Sequence, residues 1–182
     1  MTTWTIDPIH TQIEFSVRHM GLSTVRGRFR AFGGTVVTDE SGAPTAVAVD
    51  IETASIDTSA ADRDAHLRSA DFFDASGHPT IAFRSTGVRA VGGDRFEVVG
   101  DLTMHGVTRP VTLEAEIGEP IRDPWGQMRR AAVVGGKLNR KDFGLTWNQI
   151  LEAGALLVGE DVRLSLDVQV TASEAVAEAV GA

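Results

Sequence analysis

The sequence predicts an all-β protein: a closed or nearly closed antiparallel barrel of about eight strands, with one short helix inserted as a lid. Three observations predict it. Apolar and polar residues alternate with a period of two over most of the chain, as in half-buried strands. Glycine-bearing turns separate these segments at hairpin-like spacing. The run DRDAHLRSADFFDASGHPTIAF, from Asp62 to Phe83, breaks the pattern with a charged helix, two adjacent phenylalanines and a Gly-His-Pro turn. A helix with an aromatic corner set into a β protein reads as a plug on a barrel.

The elements follow in order. Ile13, Phe15 and Val17 alternate with Glu14, Ser16 and Arg18, which predicts a strand from Ile13 to His19. Val25 to Val37 is the next, and its alternation slips at Phe32-Gly33-Gly34, where a bulge or sharp bend is expected. A turn from Asp39 to Pro44 leads into a strand from Thr45 to Thr53. Ser59 stands as a helix N-cap with Asp62 in the capping-box position, and the helix is expected from Ala60 to about Ser69. Leu67 is its one large apolar residue.

Pro79 ends the connector, and Thr80 to Val88 continues as strand. Gly92-Gly93-Asp94 turns the chain into Arg95 to Met104, and His105-Gly106 turns it into Val107 to Ile117. Met128 to Leu138 is a strand of small residues. Asn139 to Glu152 is irregular and carries Phe143 and Trp147. A long strand runs from Leu156 to Val170, and Ser173 to Val180 is an Ala-rich stretch with the composition of a short, fraying helix. The organisation is one domain over 1–182, with the barrel in 1–172 and a tail in 173–182.

Composition narrows the function. The net charge of −8 argues against a nucleic-acid surface, which carries a basic footprint, and against attraction to anionic membranes. The absence of cysteine removes disulfides, thiolate nucleophiles and Cys-ligated metals. No apolar run is long enough for a transmembrane helix. MTTWTIDPIH shows neither a basic nor an apolar leader region, so a cytoplasmic location is expected.

Five phrases occur in order: WTIDPIHTQIEFSVRHMG, VRGRFRAFGGTV, the Asp62–Phe83 block, GDLTMHGVTRPVTL and NRKDFGLTWN. Together they resemble the YceI family, the lipocalin-like polyisoprenoid-binding proteins, from Trp4 to about Val170. The resemblance implies an extended antiparallel barrel that holds a long isoprenoid chain, such as the tail of a quinone-like lipid, in an elongated apolar cavity. Many relatives are periplasmic. The family supplies no catalytic set to carry over.

Individual residues fit binding better than chemistry. His10, His19, His66, His78 and His105 show none of the i, i+4 or H-x-H spacings of common zinc motifs, so no metal is expected. Asp62, Asp64, Asp71 and Asp74 read as a capped, solvated helix face rather than acid–base groups. No serine sits in a nucleophile elbow. Small residues on inward faces, Gly27, Ala31, Gly100, Ala132 and Gly136, favour a hollow barrel over a filled one.

The expected function is binding, storage or transport of a long-chain isoprenoid lipid without catalysis or cofactor. Phe15, Val17, Phe29, Phe83, Met104 and Leu164 are expected to line the tail site. Phe72, Phe73, Phe143 and Trp147 would form an aromatic closure around an entrance, with His19 and His66 at the polar end. His19 reads more readily as a hydrogen-bonded core or mouth histidine that needs no function. The alternative is a small barrel isomerase or cyclase acting on a hydrophobic substrate, which needs a perturbed His or Asp inside the cavity. The exposed strands and long terminal strand are compatible with a homodimer.

Overall fold

The computed structural model describes residues 1–152 and 154–173. Twelve strands occur in chain order: β1 (Thr2–Ile6), β2 (Gln12–His19), β3 (Ser23–Phe29), β4 (Phe32–Thr38), β5 (Pro44–Glu52), β6 (Ile56–Asp57), β7 (Thr80–Gly92), β8 (Arg95–Met104), β9 (Val107–Ile117), β10 (Ile121–Arg122), β11 (Met128–Asn139) and β12 (Val158–Ala172). The helix α1 (Ala61–Arg68) lies between β6 and β7.

All pairings are antiparallel, and they close a barrel of eight strand positions. β12 closes it. One edge pairs with β11 from Asn139↔Asp161 to Arg129↔Thr171. Its other edge pairs first with β2 and then with β1. β1 and β2 thus share one position, and β3 and β4 share the next. β5, β7, β8 and β9 complete the ring. The β9–β11 seam is short, from Ala132↔Ile117 to Gly135↔Glu114. β10 is a flap on β11 alone. Full closure removes the exposed edges that an open sheet of this size would present.

The expected elements are present with shifted ends. The segment read as one strand from Val25 to Val37 is two, broken at Arg30–Ala31. The break precedes the glycine pair because the Arg30 amide leaves the ladder and donates to the Ser55 carbonyl (3.2 Å). β1 was not expected; only Trp4 and Ile6 carry its inward pattern, too short a signal for alternation. The reading of a helix over Ser173–Val180 falls on 174–180, outside the described residues.

α1 covers one end of the barrel, and its cap differs from expectation. The N-cap is Ala60, without a side-chain hydrogen bond, and Ser59 has φ +62°. The carboxylate of Asp64, far from being solvated, is buried and accepts from the Thr58 amide (2.8 Å) and hydroxyl (2.5 Å). Arg68 donates back to the carbonyls of Ala54 and Ile56, both at 2.8 Å. The helix has so little apolar surface that these bonds, with Leu67 and the following Phe73, hold it on the barrel. No helix among the described residues is long and apolar enough to cross a membrane.

Candidate functional site

One apolar cavity runs through the barrel, with a volume of about 270 Å³. For scale, an apolar cavity of about 150 Å³ already admits benzene. Its walls come from alternate residues of nearly every strand, as a small barrel requires. Ile13, Phe15 and Val17 of β2 face Val162, Leu164 and Leu166 of β12, in the register Phe15↔Leu164. Phe83, Val98, Leu102 and Met104 complete the opposite wall.

The barrel is hollow, as the small inward residues suggested, but two of the inward glycines are covered by rings. A Cβ on Gly27 would stand 2.4 Å from Phe15 Cζ, and one on Gly100 would stand 2.5 Å from Phe83 Cζ. Each glycine is a seat for a phenylalanine ring lying across it. The ring is thereby laid flat along the wall rather than into the lumen. These two glycines therefore act through their neighbours, whereas Ala132 borders the cavity directly.

Of the residues singled out in the sequence, Phe15, Val17, Phe29, Phe72, Phe73, Phe83, Met104 and Leu164 line this cavity. Phe73 meets Phe29 edge to face at 6.1 Å, joining lid to barrel. His19, His66, Phe143 and Trp147 stand outside the lining. Phe143 is fully buried in the core beneath the lid. His66 forms an aromatic triangle with Phe72 (5.0 Å) and Trp147 (4.7 Å), and its Nε2 lies 2.9 Å from Asp71. His19 lies at the end of β2, opposite Val158. His78 and His105 pack on each other at 5.1 Å. Among the described residues, no three His, Asp or Glu side chains gather as a metal site would need.

Two arginines bound the cavity, and sequence reasoning assigned neither a role. Arg140 lies under the lid and is 4% exposed. Its Nε donates to Gly159 O (2.8 Å), its Nη1 to Leu145 O (2.6 Å) and Trp147 O (2.9 Å), and its Nη2 to Val158 O (3.4 Å). Burial lowers its pKa from the ordinary arginine value. The guanidinium also sits 6.0 Å from the Phe72 ring centroid. Arg140 is thus a clamp that gathers the loop before β12 behind Phe72. Arg130 lies at the opposite end. A signal for it exists in the inward series Met128, Arg130, Ala132, Val134, where one cation interrupts apolar residues.

The model of the YceI-like domain matches residues 4–170. The chain belongs to the YceI family. Protein YceI of Escherichia coli O157:H7 is 44% identical over 137 residues, which cover 75% of this chain and 71% of that one. Among solved structures, BcnA of Burkholderia cenocepacia superposes with a TM-score of 0.78 at 19% identity, over 90% of this chain and 98% of that one. A polyisoprenoid-binding domain from Saccharophagus degradans, implicated in plant cell wall breakdown, superposes with a TM-score of 0.70 at 15% identity, covering 95% and 100%. These likenesses show the same barrel fold.

Proposed function

We propose that this YceI-family barrel binds a long-chain isoprenoid lipid, holding the chain in its cavity for storage or transport without chemical change. The observation that carries the proposal is the cavity itself: a continuous apolar lumen walled by aliphatic and aromatic side chains. Such a wall recognises a branched hydrocarbon chain by shape and burial, at roughly 25 cal/mol per Å² of apolar surface removed from water. The family membership and the isoprenoid-binding relative of the same fold support this reading.

The lining also supports a binding role over catalysis. None of the five histidines and none of the aspartates borders the cavity. Glu14 touches it from a position between the inward-facing Ile13 and Phe15, opposite Ser165. A hydrophobic substrate in this lumen would meet methyl groups and rings, not a positioned acid and base.

The test is native mass spectrometry of protein purified without detergent, followed by organic extraction of the bound material. A bound isoprenoid, or uptake of an added prenyl chain such as farnesol in one-to-one stoichiometry, is the expected result. Protein that emerges empty and takes up no prenyl chain overturns the proposal.

A further inference from the structure

Two neighbouring arginines on β11 have opposite surroundings. Arg129 faces outward and is neutralised twice, by Asp7 (Nη1 to Oδ2, 2.8 Å) and by Asp123 (Nε to Oδ2, 2.7 Å). Arg130 pairs across the ladder with Val170, a core residue, and so faces inward. Its Nε donates to Gly118 O at 2.7 Å, and its Nη1 donates to Gly42 O. Gly118 follows β9, next to β11 in the ring, whereas Gly42 lies in the turn between β4 and β5. The side chain therefore reaches past β12 and β1, across the end of the lumen away from the lid.

Arg130 has no carboxylate partner among the described residues. The nearby Asp39 is committed elsewhere: it accepts from the amides of Ser41 and Ala43 and from the Ser41 hydroxyl. A guanidinium has five N–H donors, and neutral carbonyls take only two of these. A cation on an apolar lumen with no counter-ion is a ready partner for an anion, and the planar fork suits two oxygens at once.

The other end of the cavity has no such vacancy. Arg140 is covered by carbonyls and the lid core over it is closed, with Ile56, Phe143 and Leu145 buried. Of the two arginines that bound the cavity, Arg140 is enclosed by four carbonyls, whereas Arg130 meets two.

We propose that Arg130 receives the acidic head group, a phosphate or carboxylate, of a lipid whose chain fills the cavity. This deepens the reading of the barrel as an isoprenoid binder and rests on it. Arg130 is then both the bar across the mouth and the group that selects acid-headed lipids over neutral ones. Binding would exchange the Gly42 carbonyl for head-group oxygens and free the β4–β5 turn.

Calorimetric titration with farnesyl phosphate and with farnesol tests this in the full chain, in Arg130→Met and in Arg130→Lys. The parent should prefer farnesyl phosphate by at least about tenfold, the scale of hydrogen bonds to a charged group. Arg130→Met should lose that preference while still taking up farnesol, and its circular dichroism and thermal unfolding should report an intact barrel. Arg130→Lys, which keeps the charge but not the fork, should retain part of the preference. Equal binding of both ligands by the parent, or an undiminished preference in Arg130→Met, overturns the head-group assignment and leaves the chain-binding reading standing. Failure of both ligands to bind the parent overturns both.

Discussion

Phe83 lies flat because position 100 has no side chain, and this pairing recurs at Phe15 over Gly27. What surrounds each glycine decides how costly a methyl group there would be. At Gly100 an added Cβ meets the Phe83 ring at 2.5 Å and the Arg84 carbonyl oxygen, a backbone atom, at 2.6 Å. The carbonyl cannot move without disturbing the β7–β8 ladder. At Gly136 the added Cβ meets Leu113 Cδ2 at 2.5 Å, the tip of a side chain with other rotamers beside an open lumen. Gly100→Ala should therefore cost about 1–3 kcal/mol of stability in urea unfolding, and Gly136→Ala clearly less. Equal losses would show that the rigid backbone contact is not what matters. Alternation in the sequence places all three glycines on the inward face. It does not say which neighbour lies over a given glycine, because that neighbour comes from another strand. The same gap hid part of what holds Arg130 and Arg140, since the carbonyls of Gly42 and Gly159 that they meet come from other strands and turns.

Elements are held in place here by polar ties that sequence patterns do not reveal. The helix was legible to within a residue or so at each end, from its charges and its place before the Phe pair. Its fastening was not: Asp64 reads as a surface acid, yet folding turns it inward onto Thr58. A second tie joins the β1–β2 loop to β11 and to the turn between β10 and β11. Asp7 accepts from the Ile9 amide (3.0 Å) and Arg129, and lies 2.8 Å from His10 Nδ1. The hydrogen bond with His10, followed by that from Arg129, lowers its pKa from 3.8 to about 2 against the opposing effect of burial. The folded state thus holds the Asp7 proton less tightly than the unfolded chain. Asp7 contributes stability that is fully present above its ordinary pKa of 3.8 and is lost as pH falls through about 2. Asp7→Asn removes this titration. Its unfolding free energy should decline less than the parent's between about pH 4 and about pH 2, by chemical denaturation at each pH. Parallel declines would place the acid sensitivity elsewhere.

At the scale of the whole molecule, a hollow barrel and a stable barrel make opposite demands. The antiparallel ring was legible because nearly every strand alternates and the last is long enough to close it. Its hollowness was suggested only by the small inward residues, two of which, Gly27 and Gly100, prove to be covered by rings, and an eight-stranded barrel can be filled or hollow with similar patterns. An unfilled apolar lumen forgoes dispersion contacts that a solid core would have, so a lumen kept for binding weakens the fold. Ala132 lines the cavity midway along β11, where a larger aliphatic side chain would enter open space. Ala132→Leu should stabilise the empty protein by about 1–2 kcal/mol, raising its Tm by about 2–8 °C. The same substitution should weaken uptake of a prenyl chain by at least tenfold, on the order of the contacts it displaces. Thermal unfolding and farnesol titration on one preparation measure both effects. A rise in Tm with unchanged uptake would mean that the chain binds somewhere other than the lumen. A fall in Tm would mean that the wall around Ala132 is already packed. Only the opposed pair of changes, firmer fold and weaker binding, fits a cavity kept open for a hydrocarbon chain.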